Sequence, residues 1–346
     1  MTAAVQRPNW RRWWTIAGAL TGLLALAWAF WRVDYGRVVD ALSQADIAWV
    51  LAVPVAIAAE QIVRAWKWRQ LLFVIRPVGT LRLFGAIMAG YFANILVPLG
   101  ISPIVRSWLV ARLEALKMSA VLATAAIDRL VDGLVFTGLV AVALAVVVFP
   151  DPTSYIRIGL IIGGVGSFAL FTLLLAGLRL YKRRAGIPGS WAIRLADRLP
   201  VRFVDPVKRA MLSFAEGIVW PREAWRGLGI VLASIAIKLI AISHFLWAGL
   251  AFGVLLRPVD YLFLVVFLGF LIILSRLARI PGGFFIGAIF ALDLLGVPEE
   301  QALVMVLVVQ ISSLLTVASI GAFALWRSGV ALDALRLAKG TAVENA

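Results

Sequence analysis

Cysteine is absent from this chain of 346 residues, and histidine occurs once, at His244. The first absence excludes a disulfide framework and a thiolate metal centre, and the second removes most imidazole chemistry. Charge is scarce too: 15% of residues are Asp, Glu, Lys or Arg, and 63% are hydrophobic. Soluble domains carry about 25% charged residues, so no water-soluble fold is expected. The chain also has no Walker-type loop, dinucleotide fingerprint, metal-ligand spacing or serine-centred nucleophile motif. These gaps argue against an ATP-driven pump or a hydrolase. We therefore expect no enzyme activity, no cofactor, no metal and no soluble catalytic domain.

What the chain has instead is long apolar runs, at about 13–31, 47–63, 119–149, 156–178, 228–255, 259–278 and 301–326. Each can cross a hydrocarbon core of roughly 30 Å at ~1.5 Å per residue. Lipid cannot satisfy backbone amides, so the runs must be helices. The expected fold is all-α, a polytopic membrane helix bundle of about seven to eight spans. Residues 1–330 form one transmembrane domain and 331–346 a short polar tail. The first run resembles a secretory signal through its basic start and Ala25-Leu26-Ala27. Trp10, Trp13, Trp14, Trp28 and Trp31 bracket it like an interfacial belt, so it reads as an uncleaved first span.

Basic residues outnumber acidic ones 33 to 18, giving a formal charge of +15. They fall between the apolar runs, which favours a membrane over a nucleic-acid partner. Residues 1–12 and 64–82 carry Arg and Lys without an acid, and 179–226 carries eleven basic residues against four acidic ones. The alternate loops 32–46, 150–157 and 253–260 are neutral or slightly acidic. Cytoplasmic loops hold the excess of Lys and Arg, so the alternation predicts a multi-pass protein of the cell membrane with a cytoplasmic N-terminus. The side of the C-terminus stays open, as does the oligomeric state. Within 179–226, the portion 191–219 alternates apolar and basic residues. It reads either as an amphipathic helix on an anionic leaflet or as a solvated linker.

Two stretches do not fit simple crossings. Residues 83–117 start apolar, break at Asn94, Pro98, Gly100 and Pro103, and resume through Arg106. Residues 281–300 open with Pro281-Gly282-Gly283, continue apolar, and end at Pro298-Glu299-Glu300. Pro98 precedes Arg129 by 31 positions and Pro281 precedes Gln310 by 29, a weak internal repeat. Paired broken segments in two halves point to a substrate site, so both are predicted to be re-entrant; packing kinks are the alternative.

Polar groups within apolar runs are the remaining signal, because a charge at the bilayer centre is disfavoured by about 2.5–3.5 kcal/mol on insertion scales. Asp128, Arg129 and Asp132 lie at helical spacing, so both carboxylates share a face with the guanidinium near it. Two readings are open, a self-neutralising packing network or the lining of a cavity with Arg129 facing an anion. Arg106, after the first break, is either a phosphate contact or an interfacial side chain reaching outward. Arg64, Lys67 and Arg69 between Trp66 and Trp68 read as an interfacial anchor, and Lys238 and His244 as bundle contacts.

The order of these motifs resembles a family. Arg64-x-x-Lys67-Trp68-Arg69, Asn94-x-x-x-Pro98, Arg106, Asp128-Arg129-Leu130-x-Asp132, and Pro281-Gly282-Gly283 before Gly296-Val297 are similar to the flippase-like transmembrane region of lysylphosphatidylglycerol synthases. The likeness runs from about residue 10 to 328, as in a stand-alone member without the soluble aminoacyl-transfer domain. It implies handling of anionic or modified lipids, with membrane lipids as partners. It also implies that Arg106, Arg129 and Asp132 line a polar path between the two breaks. Two acids usual in the family are missing, where Ser102-Pro103 and Gly287-Ala288 stand, which weakens the case for proton coupling or amine binding. The expected function is a lipid translocase-like protein. The alternative is a membrane scaffold or accessory subunit that presents lipid intermediates to a lipid- or glycolipid-modifying enzyme.

Overall fold

The computed structural model describes residues 35–97, 100–147, 155–184, 197, 201–278 and 282–329. Every regular element among them is a helix. In chain order these are α1 (Tyr35–Ser43), α2 (Ile47–Leu72), α3 (Thr80–Leu96), α4 (Ser102–Leu113), α5 (Met118–Val146) and α6 (Tyr155–Arg184). They are followed by α7 (Val201–Glu216), α8 (Ala224–Ala251), α9 (Pro258–Ala278), α10 (Gly283–Leu294) and α11 (Glu299–Arg327). Six of these, α2, α5, α6, α8, α9 and α11, are long and apolar enough to cross a membrane. The run at 13–31 lies outside the described residues. Helix α2 extends nine residues past the apolar run that announced it, and those added residues carry Arg64, Lys67 and Trp68.

The chain divides into two compact units. The first comprises Met1–Val53, Leu139–Gly163 and Ile242–Gln310. In it Trp49 stacks on Trp247 at 5.4 Å, and Phe270 lies against Gly163. Asp260 caps the start of α9 by accepting from the backbone N–H of Arg257 at 3.0 Å. It also receives both Nε and Nη2 of that arginine at 3.0 Å, so the loop's single acid and base neutralise each other. Gly282 stands before α10 with a φ of 71°, a left-handed conformation that favours glycine. Leu271 on α9 packs directly on Gly287 of α10, in the space a side chain there would occupy.

The second unit comprises Pro54–Gly138, Gly164–Ala241 and Ile311–Ala346. Its core joins Trp68, Leu71 and Leu72 of α2, Leu83 and Ile87 of α3, Leu109 of α4, Val121 and Ile127 of α5, and Ile230 of α8. Helices α3 and α4 form a hairpin. At 17 and 12 residues the arms measure about 25 and 18 Å, less than a hydrocarbon core of about 30 Å. The first break therefore exists as a helix–turn–helix. Val97 is extended, Gly100 has a φ of 71°, and Pro103 occupies the first turn of α4, where its missing N–H has no helical partner to lose. The arms approach closely because Gly90 has no side chain. A Cβ there would stand 2.8 Å from the Ser102 carbonyl oxygen and 3.3 Å from Cβ of Arg106.

Of the basic segment, the described part holds a helix, Val201–Glu216, and the apolar side of its second half turns to protein. Phe214 packs edge-on against Tyr181 at 6.1 Å, the Tyr181 hydroxyl donates to the Met211 carbonyl at 2.8 Å, and Ala215 is buried. Lys182 of α6 donates to the Ile218 carbonyl, and Lys117 pairs with Glu216 at 3.0 Å. In its described part the segment is thus a helix that packs on protein through Phe214 and Ala215, and residues 185–196 and 198–200 lie outside the described residues.

Candidate functional site

Glu60, Arg64 and Lys67 recur every three to four residues on α2 and so share one face. Asp128 and Asp132 do the same on α5. Helix packing in the second unit brings the two faces together. Lys67 Nζ lies 2.8 Å from Asp128 Oδ1 and 2.6 Å from Asp132 Oδ1, bridging both carboxylates. Its third contact is Ser234 Oγ on α8 at 3.3 Å. Arg64 reaches Asp132 Oδ2 at 3.3 Å and Glu60 Oε1 at 2.7 Å, and its Nε donates to Gln61 at 3.2 Å. Lys67 and Asp128 are wholly removed from solvent, and Asp132, Arg64 and Glu60 nearly so.

Arg106 enters from α4, itself fully buried. Its guanidinium lies over the Trp68 ring at 4.7 Å, and Nη2 stands 3.5 Å from Asp128 Oδ2. Trp68 is fixed in turn by donating Nε1–H to Thr124 Oγ1 at 3.0 Å. The remaining guanidinium nitrogens of Arg106, Nε and Nη1, have no acceptor, and the hydroxyls of Ser102 and Ser107 on the same helix are also buried without a partner. Tyr91 on α3 lies within electrostatic reach of Arg64, Arg129 and Arg106.

Two sequence expectations are overturned. Arg64 and Lys67 are not an interfacial anchor, because both side chains are buried as the partners of Asp128 and Asp132. Trp66 likewise packs against Gly229 of α8 rather than forming a surface belt. Nor do Asp128, Arg129 and Asp132 neutralise one another. Arg129 sits about 100° around the helix from Asp128, is exposed, and has no carboxylate within salt-bridge distance among the described residues. Asp132 orients Lys67 and Arg64, not Arg129.

Of the other predicted residues, Asn94 is half-buried with its Oδ1 unpartnered, and Gly100 forms the turn of the hairpin. Pro98 and Pro281 lie outside the described residues. Gly282, Gly283 and Gln310 belong to the first unit, where Gln310 is exposed on α11. Lys238 of α8, read as a bundle contact, stands over the Phe136 ring at 5.6 Å within electrostatic reach of Asp132. Sequence reasoning missed Glu60, Tyr91 and Ser234 as members of the cluster. The helical spacing of Glu60, Arg64 and Lys67 was the available signal for α2; a lone Tyr or Ser in an apolar run gives none.

Glu60, Asp128 and Asp132 face five cations: Arg64, Lys67, Arg106, Arg129 and Lys238. The cluster therefore carries two positive charges in excess. Such an arrangement can hold an anion, while no group of His, Asp or Glu suited to a metal ion occurs among the described residues.

No curated protein and no solved structure matches the chain. The family model described as "Lysylphosphatidylglycerol synthase TM region" matches residues 14–321. With six helices among the described residues apolar and long enough to span a bilayer, and with that match covering most of its length, the chain belongs to the lysylphosphatidylglycerol synthase transmembrane-region family.

Proposed function

We propose that this protein binds anionic or modified membrane lipids and moves their headgroups across the bilayer, as a flippase does. The observation that carries the reading is the excess of cations, five against three carboxylates, in one cluster of membrane-embedded helices. Uncompensated charge in hydrocarbon is strongly disfavoured, so a surplus of one sign calls for a counter-charge that enters with a ligand. Lipid headgroups are the anions already present in that medium. Arg129, exposed and without a salt bridge among the described residues, receives the headgroup first; Arg106, with two nitrogens unsatisfied, holds it deeper. Lys67 occupies the carboxylates that would otherwise repel the ligand.

In this reading the α3–α4 hairpin is a re-entrant element and no covalent bond is made or broken. The protein sits in the cell membrane with its N-terminus and the basic 179–226 segment on the cytoplasmic side, as the loop charges favour. The test is reconstitution of the purified chain into liposomes with fluorescently labelled phospholipids. Translocation faster than in protein-free vesicles, and slowed in a folded Arg129→Gln protein, is expected. Equal rates with and without protein would sink the proposal.

A further inference from the structure

The charge count and the unsatisfied donors say more about which anion fits. Arg106 is fully buried, yet two of its three guanidinium nitrogens lack an acceptor, as does the Ser102 hydroxyl one turn earlier on α4. Both residues border Gly90, whose lack of a side chain leaves Ser102 Oγ and the Arg106 stem 3.1 and 3.3 Å from where a Cβ would be. Tyr91 follows directly on α3, within electrostatic reach of Arg106 and Arg129. Donors from α3, α4 and α5 thus gather around one region of the second unit, where Arg106 Nε, Arg106 Nη1 and Ser102 Oγ make no hydrogen bond to protein.

The excess is two charges, not one. Within the cluster, Arg129 and Lys238 are the cations without a salt bridge among the described residues, and Lys238 stands over the Phe136 ring at 5.6 Å. A lipid phosphodiester carries a single negative charge and would leave one cation uncompensated. A phosphomonoester carries about 1.5 to 2 negative charges at neutral pH and three acceptor oxygens.

We infer that the cluster around Arg106, Arg129 and Lys238 is a site for a phosphomonoester dianion, selected over the phosphodiester of an ordinary anionic phospholipid. This rests on the lipid-binding reading above and narrows it to one headgroup chemistry. The dianion sits against Arg106 and Arg129, accepts from Tyr91 and Ser102, and balances Lys238 across the carboxylates. The same chemistry could arrive as a lipid headgroup or as free phosphate.

The experiment measures binding by native mass spectrometry of the full chain in zwitterionic nanodiscs. The probes are phosphatidic acid, phosphatidylglycerol and inorganic phosphate. Phosphatidic acid should bind about tenfold or more tightly than phosphatidylglycerol, the scale of a buried charge pair. Arg129→Gln and Lys238→Met, neither of which removes a salt bridge, should each erase most of that preference while their melting temperatures stay close to that of the parent. Displacement of phosphatidic acid by inorganic phosphate at similar concentration supports the dianion site and identifies free phosphate as its occupant. Equal affinity for the two lipids, or a preference untouched by both variants, overturns the inference and leaves the lipid-binding reading standing. Binding of neither lipid overturns both.

Discussion

Lys67 Nζ meets Asp132 Oδ1 at 2.6 Å across 65 positions of sequence, and the lysine is wholly shielded from solvent. The same ammonium touches Asp128, so one cation holds two buried carboxylates. Lys67→Met leaves both short of a partner, and breaking such a pair costs about 3–5 kcal/mol. The variant should unfold well below the parent in a thermal scan in detergent. Asp132→Asn added to it should recover part of the loss, because the second change removes a buried carboxylate that has lost its nearest cation and keeps only Arg64. A Lys67→Met protein as stable as the parent would contradict the buried pairing.

The membrane class was legible in composition because hydrophobic runs state their own solvent. The long helices emerged for the same reason, and both Pro/Gly breaks could be located from backbone-breaking residues. The cluster was only half legible. Asp128, Asp132 and Arg106 stand inside apolar sequence and attract notice, whereas Arg64 and Lys67 stand at the end of an apolar run, where a charge ordinarily means an interface. Only the continuation of α2 to Leu72 and its packing against α5 turn them inward. Pairings between residues some 65 positions apart have no local signature. Helical spacing placed Arg129 close to Asp128 and Asp132 but could not say which of them faces the core.

The hairpin offers a prediction about two glycines with different constraints. A methyl at Gly90 meets the Ser102 carbonyl at 2.8 Å, so Gly90→Ala must push the arms apart, at about 1–3 kcal/mol for overpacking. At Gly100 space is open, and the φ of 71° alone makes Gly100→Ala unfavourable by about 1–2 kcal/mol. A larger residue should separate them. Gly90→Leu should abolish a stable fold, whereas Gly100→Asn, which tolerates the left-handed region, should stay near the parent in melting temperature. Equal effects of the two would refute the close approach of α3 and α4.

At the loop before α9, Arg257 and Asp260 look like equal partners but are not. The Arg257 side chain is 75% exposed and that of Asp260 10%. Exposed pairs contribute about 0–1 kcal/mol, so Arg257→Ala should be nearly silent. Asp260 also accepts from the Arg257 backbone N–H, a capping bond that survives loss of the arginine side chain. Asp260→Ala removes it and should cost about 1 kcal/mol. Denaturant or thermal unfolding of the two variants side by side checks the order.

Arg129 and Arg106 separate stability from function. Arg129 is exposed and has no salt bridge among the described residues, so Arg129→Gln should leave unfolding within about 0.5 kcal/mol of the parent, as substitutions that break no pairing do. Arg106 is buried over Trp68, and Arg106→Lys loses both the planar stacking and the reach to Asp128. It should lower stability by about 1–3 kcal/mol as well as weaken lipid binding. The informative result is the first variant. A melting temperature like the parent's with slowed lipid translocation means that Arg129 serves the ligand and not the fold. Parent-like translocation in a folded Arg129→Gln protein would instead make Arg129 an ordinary exposed arginine, and headgroup capture would then fall to Arg106 alone.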